Sequence, residues 1–256
     1  EHFGVEESLL QAHITGSGQF RKADFTFQPR GYEFEDADVG FRFDGEDLHF
    51  DPISLLLNKN QLSGSGMIRD FLPFIFLPEQ KLDASLRVNA QKFNLNNFRA
   101  PQKFAGQTGG KAESPTTITK LVNAGLANIE TDFTVDFDTV VYRNFLGEEV
   151  EGTIALGGGR LEFRNTQMKL ADGLFSLTGE IKGLRDNEPD MNLQAKLENT
   201  DVQKVFHAFE NFGQLALRQE NLEGRLSAEI KFKSLADANY DLNPDSMQGE
   251  ISLKME

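Results

Sequence analysis

The chain has 256 residues, including 23 Phe, no Cys and no Trp, and its formal net charge is −14. Without cysteine it cannot form disulfides, thiolate zinc sites or a thiol nucleophile. The negative charge argues against a nucleic-acid backbone as partner, because phosphates repel such a surface.

No apolar run approaches the ~18 residues that would span a bilayer. The opening residues, EHFGVEESLL, contain no start Met and no signal peptide. We therefore expect a piece of a longer protein whose targeting or membrane-anchoring segment lies elsewhere in the full chain.

Residues 1–99 predict a first β repeat. Apolar and polar residues alternate in short runs, such as 82–88, and this period of two is typical of strands with one buried face. Gly, Asp and Pro separate the runs. The apolar segment 71–79 is bracketed by Pro73 and Pro78, which predicts a loop or an edge strand because proline removes a ladder donor.

Residues 100–120 are rich in Gly, Ala, Pro, Thr and Lys, which predicts a mobile loop or linker. Residues 121–213 then predict a second β repeat that ends in a helix at 201–212. Residues 214–256 return to strand-like alternation and predict the start of a third, truncated β unit.

The predicted helix is the one clear change of period in the chain. Its apolar residues recur at the spacing of one helix face: Val202, Val205, Phe206, Phe209 and Phe212. Thr200 with Gln203 makes a capping-box pattern, and Gly213 predicts the helix end.

The strongest hairpin pattern lies at 161–182, LEFRNTQMKLADGLFSLTGEIK. Two alternating runs flank Ala171-Asp172-Gly173, and Asp-Gly is a dipeptide favoured in tight hairpin turns. The second run predicts one apolar face (Phe175, Leu177, Gly179, Ile181) and one polar face (Ser176, Thr178, Glu180, Lys182).

This hairpin is predicted to be the second copy of an internal repeat. Residues 48–68 align with 161–181 at a constant offset of 113, and the match resumes at Leu86 and Leu193 with an offset of 107. In both copies the alternation slips by one residue after a Phe. A slip of this kind requires a β-bulge, so we expect bulges near Asp51–Pro52 and Asn165–Thr166.

The predicted fold is mainly β: a long, curved antiparallel sheet built from repeated hairpins, with one clear short helix near 201–212. Such a long sheet must twist and coil. Because a single helix is available to cover the apolar face, we expect a taco-like sheet or an open groove.

Three segments carry a family resemblance: FTVDFDTVVYRN, LEFRNTQMKLADGLFSLTGEI and VFHAFENFGQLALRQENLEGRLSAEIKF. They resemble the C-terminal region of AsmA-like proteins of Gram-negative envelopes, particularly Bacteroidetes-type members. The resemblance covers about 133–232 and is weaker in 37–98. The resemblance implies a periplasmic segment of an inner-membrane-anchored protein. It also implies kinship with bridge-like lipid-transfer proteins and a role in outer-membrane lipid homeostasis.

The expected function is to hold acyl chains of phospholipids or similar lipids in an apolar groove, without catalysis. The candidate groove residues are Phe133, Val135, Phe137, Leu156, Phe163, Phe175, Leu177 and Ile181. The same residues could instead fill a closed core, in which case a structural module of the envelope that docks a protein partner is the alternative.

An enzyme or a carbohydrate-binding domain is least favoured, because sugar-stacking aromatic residues are scarce: there is no Trp, and there are 3 Tyr. The four histidines (His2, His13, His49, His207) lack the spacing of a metal site. The sequence therefore predicts no cofactor and no metal.

Overall fold

The computed structural model describes residues 15–27, 32–71, 73, 82–98, 129–184, 188–213, 218–236 and 242–256. The predicted loop at 100–120 and most of the proline-bracketed segment 71–79 lie outside the described residues. The chain forms two units, Glu1–Arg87 with Arg99–Asp132 (unit 1) and Val88–Phe98 with Phe133–Glu256 (unit 2).

Unit 1 is a meander in which strands that are consecutive in sequence are neighbours in the sheet. Its strands are β1 (Thr15–Phe27), β2 (Tyr32–Asp44), β3 (Asp47–Leu57), β4 (Asn60–Arg69) and most of β5 (Leu82–Ala90). Strand β1 starts this order and has β2 as its one strand neighbour among the described residues.

Unit 2 continues the same pattern. Its strands are β6 (Phe93–Asn94), β7 (Ile129–Tyr142, which begins in unit 1), β8 (Phe145–Gly157), β9 (Arg160–Leu170), β10 (Gly173–Lys182), β11 (Asp190–Asp201), β12 (Arg225–Leu235) and β13 (Gln248–Met255). Strands β7 to β13 follow one another in order, β6 pairs with β7 in parallel, and β8 to β13 pair antiparallel. Helix α1 (Val202–Ala208) follows β11, and two short 3₁₀ turns, Glu210–Gly213 and Gln219–Asn221, lie between it and β12.

The predicted fold class is confirmed: the protein is mainly β, built from repeated antiparallel hairpins that leave the sheet open, with a short helix, α1, near the predicted place. Both predicted bulges are present. Against β4, Asp51–Pro52 lies opposite the single residue Ser65. Against β10, Arg164–Asn165 lies opposite Thr178, and against β8 the bulge is at Asn165–Thr166. Each bulge absorbs the frame slip, so the apolar residues before and after it share one face.

The β3–β4 and β9–β10 hairpins share one register. Every cross-strand pair of the first maps onto a pair of the second at the offset of 113; for example, Leu48–Ile68 corresponds to Leu161–Ile181. The turn of the second hairpin is Ala171–Asp172, with both residues at positive φ, as a two-residue hairpin turn of type I′ requires. Gly173 belongs to the strand, so the turn lies one residue earlier than Asp172-Gly173 suggests.

The details of the predicted helix need correction. Helix α1 ends at Ala208, and its N-cap is Asp201, whose side chain accepts a hydrogen bond from the Lys204 backbone N–H. The predicted cap, Thr200, instead donates its hydroxyl to the Leu226 carbonyl oxygen across the sheet at 2.9 Å. Beyond the helix the backbone turns left-handed at 210–212, before the predicted stop at Gly213.

Candidate functional site

Cross-strand pairing in unit 2 gathers apolar side chains from β8 to β12 into rows on one face, hereafter the apolar face. Residues directly opposite each other on neighbouring strands point to the same side of a sheet. The rows are Met168–Phe175–Leu197–Ala228, Leu177–Ala195–Ile230, Ile154–Phe163–Gly179–Leu193–Phe232, and Leu156–Leu161–Ile181–Met191.

The opposite face is charged and solvated. Arg164 pairs with Glu162 at 2.8 Å, Lys182 with Glu180 at 2.6 Å, and Arg160 with Glu180 at 3.6 Å. The hydrogen bond from Arg164 holds the pKa of Glu162 below its ordinary value. Exposed pairs of this kind contribute little stability, so the packing on the apolar face must hold these strands.

One end of the apolar face is buried beneath α1, and we call it the closed end. Leu197 is 2% exposed and Ala228 5%, while Val202 and Val205 of the helix are 2% and 0% exposed. Aromatic rings complete the cover at this end. The Phe145 ring lies with its centroid 6.3 Å from that of Phe175 and 5.8 Å from that of Phe209. The closed end is therefore a conventional hydrophobic core.

The turn between β7 and β8 ties a second segment to the same end. The Arg143 backbone N–H donates to the Asn96 side-chain oxygen at 3.0 Å, and its guanidinium contacts the Glu210 carboxylate at 3.2 Å. Nearby, the ring of Phe93 stacks on Phe137 at 4.9 Å. Residues 93–97, which the sequence repeat relates to α1, thus also cover this end of unit 2.

Beyond the closed end the apolar face is not fully covered. Seven side chains in two adjacent rows are half-buried, and we call them the open section: Ile154, Phe163, Leu177, Leu193, Ala195, Ile230 and Phe232. Thr166, a polar residue opposite Leu177, lies at the end of one of these rows. The open section itself is a continuous apolar surface that keeps partial contact with solvent.

The eight sequence-predicted groove residues divide between these environments. Phe133, Leu156, Phe163 and Leu177 are half-buried, whereas Val135, Phe137, Phe175 and Ile181 are 7–8% exposed. Pairing brings Leu156 and Ile181 into one row and sets Phe163 beside Gly179. The alternation in β11 and β12 predicts that Leu193, Ile230 and Phe232 belong to an apolar face. Only the strand register shows that this face is the one that carries Leu177 and Phe163.

Thr166 is a polar residue on the apolar face, where the bulge places it. It is 6% exposed, and its hydroxyl oxygen has no hydrogen-bond partner. We expect Thr166→Val to raise the free energy of unfolding by about 1 kcal/mol, because an unsatisfied buried hydroxyl carries a desolvation penalty. Urea denaturation measures the change. The matched control is Thr178→Val on the exposed face, expected within about 0.5 kcal/mol of the parent; a destabilised Thr166→Val variant would contradict the assignment.

Within the described ranges, no group of three or more His, Asp or Glu side chains is arranged to hold a metal ion. No helix in that same part of the chain is long and apolar enough to cross a membrane. Comparison with protein-family models, curated proteins and solved structures finds no match to this chain. The AsmA-like resemblance therefore remains a prediction from the residues.

Proposed function

We propose that the open section of unit 2 binds the acyl chains of phospholipids or similar lipids. In this proposal the chain is a periplasmic lipid-binding or lipid-transfer segment of an AsmA-like protein that serves outer-membrane lipid homeostasis. The observation that supports it is a continuous, half-buried apolar surface next to a closed hydrophobic core.

The dimensions suit an elongated apolar ligand. Strands β8 to β12 span four strand spacings, about 19 Å. Each methylene that the face removes from water contributes about 0.8 kcal/mol before ordering costs are counted. Specificity for the chain itself is low because apolar contact is non-directional.

A charge in the open section tests this proposal. We expect Leu177→Glu to weaken binding of a fluorescent fatty acid at least about tenfold, because the carboxylate would lose hydration beneath the chain. Thr178→Glu is the matched control, since it is the next residue on the same strand and is exposed on the charged face. Far-UV circular dichroism should show unchanged strand content in both variants.

Lipid extraction of the purified chain followed by mass spectrometry gives an independent measurement, with co-purified lipid expected for the parent and a reduced amount for Leu177→Glu. The absence of both co-purified lipid and saturable fatty-acid binding would count against the proposal. That outcome would favour the alternative, a structural module of the envelope with a protein partner, which the fully packed closed end also suits.

A further inference from the structure

Helix α1 and the turn that follows it, residues 202–212, form the cover of the closed end, and the apolar anchor of this cover is small. Val202 and Val205 are the two buried residues of the helix, and beyond it the Phe209 ring contacts that of Phe145. With seven residues, α1 is much shorter than the ~12–15 residues at which an isolated helix begins to be stable. The helix therefore depends on these few contacts with the sheet.

The ion pairs that tie the cover to the sheet lie at the surface. The Lys204 ammonium contacts the Asp172 carboxylate of the β9–β10 turn at 2.5 Å, and the Arg143 guanidinium contacts the Glu210 carboxylate at 3.2 Å. All four side chains are exposed. Because exposed ion pairs contribute little stability, these ties position the cover without holding it firmly.

The turn after α1 has an unfavourable backbone. Glu210, Asn211 and Phe212 have φ angles of 53°, 56° and 53°, a left-handed conformation in which the Cβ of an L-residue crowds its own carbonyl oxygen. Such a backbone persists only where neighbouring contacts hold it. Here the Asn211 side-chain oxygen accepts from the Gln219 backbone N–H at 3.1 Å, and the Phe212 ring stacks on Phe209 at 5.3 Å. Displacement of the cover would release this strain.

The surface beneath the cover continues the open section. The closed-end row that contains Phe175 is adjacent to the open-section row that contains Leu177, because these residues are two positions apart on β10. The same spacing of two separates Leu197 from Ala195 on β11. Removal of the cover would therefore lengthen the continuous apolar surface by at least one row.

We propose that the cover is displaceable, and that an acyl chain too long for the open section lifts it and occupies the closed end. This inference rests on the proposed lipid-binding function. Without ligand the closed state dominates, since Val205 is fully buried. A chain that reaches beneath the cover binds only the open state, so it raises the population of that state.

The absence of native cysteine permits a direct test of opening. Val205→Cys places a thiol on the buried side of α1, where it reacts with a thiol reagent when the cover lifts. Val135→Cys is the matched control, because Val135 is 7% exposed on β7 of the same unit and is released only when the sheet opens. We expect Val205→Cys to react at least about tenfold faster than Val135→Cys, as a locally opening segment should.

Cutting one tie should make the opening more frequent. Adding Lys204→Ala to Val205→Cys removes the ion pair with Asp172 while retaining a strong helix former, and we expect the labelling rate to rise about threefold. Gln203→Ala, also exposed on α1, is the control and should leave the rate unchanged. Equal reaction of the thiols at 205 and 135, or a rate that Lys204→Ala does not change, would overturn the proposal.

Two fatty acids distinguish opening from lipid binding. At saturation, octadecanoic acid should raise the labelling rate of Val205→Cys at least about threefold, whereas decanoic acid should not, because only the longer chain reaches beneath the cover. Octadecanoic acid that binds without changing this rate would contradict the proposal. If neither acid binds while the thiol at 205 still reacts faster than the thiol at 135, the cover opens and the lipid-binding function is wrong.

Discussion

Replacing Phe175 with glutamate is expected to lower the free energy of unfolding of unit 2 by at least about 3 kcal/mol. Phe175 is 8% exposed, lies opposite Met168 and Leu197 on neighbouring strands, and has the ring of Phe145 against it. The substitution removes a large buried ring and leaves an unpaired carboxylate in its place. Chemical denaturation followed by circular dichroism measures the loss.

Leu177→Glu is the matched comparison, because it makes the same charge on the same face two residues further along β10. Leu177 is half-buried in the open section, so its carboxylate keeps access to water and the expected loss is about 1 kcal/mol. If the two variants lost equal stability, the division of the face into a closed end and an open section would be wrong. A stable Phe175→Glu variant that had lost only lipid binding would place Phe175 in the groove.

The bulges could be predicted from the sequence because they follow from a strict geometric constraint. Side chains alternate between the two faces of a strand. When the alternation slips by one residue, the apolar residues stay on one face only if a bulge adds one residue to the strand. The slips after Phe50 and Phe163 therefore locate the bulges to within a residue or two. The register of each hairpin follows in turn, because the two-residue turns at Asn58–Lys59 and Ala171–Asp172 fix the first pair.

The ends of the helix could not be predicted in the same way, because several residues offer competing interactions. Thr200 and Asp201 both carry an oxygen suited to an N-cap. The hydroxyl of Thr200 bonds instead to Leu226 on β12, a strand some 25 positions later, and Asp201 is left to cap the helix. A hydrogen-bond partner so distant in sequence cannot be predicted from the residues around the start of the helix.

The sequence predicts which residues share the apolar face, but it does not predict which part of that face is covered and which part is open. Phe175 and Leu177 occupy equivalent positions in one alternating run, and nothing in that run distinguishes them. Their environments differ because Phe145 and the segment after α1 cover the first and leave the second half-exposed. Thr166 is a polar residue, yet the bulge turns its side chain to the apolar face.

Replacing a matched glycine with alanine is expected to cost more stability in the second copy of the repeat than in the first. Gly179→Ala should lower the free energy of unfolding by about 2–4 kcal/mol. Its φ is +133°, and a Cβ there would approach the Asn192 carbonyl oxygen to 2.2 Å and the Leu193 Cα to 2.8 Å. Both neighbours are backbone atoms of the paired strand β11, so relief requires the strands to separate.

Gly66→Ala, at the corresponding position of the first copy, should cost less, about 1–2 kcal/mol. Its Cβ would meet the Leu86 Cδ2 at 2.2 Å and the Ser85 carbonyl oxygen at 2.9 Å. The nearer atom is the tip of a side chain that can change rotamer, and the backbone at Gly66 is not in the positive-φ region.

Gly16→Ala is the control, since its Cβ would meet nothing within 4 Å, and denaturant midpoints of the three variants give the comparison. In both copies the glycine lies close to the next strand of the sheet. Gly66 lies against Ser85–Leu86 and Gly179 against Asn192–Leu193, residues that the offset of 107 relates. Equal losses for Gly66→Ala and Gly179→Ala would mean that the close approach of the strands, common to both copies, determines the cost. A larger loss at Gly179 would show that the left-handed backbone, found only in the second copy, dominates.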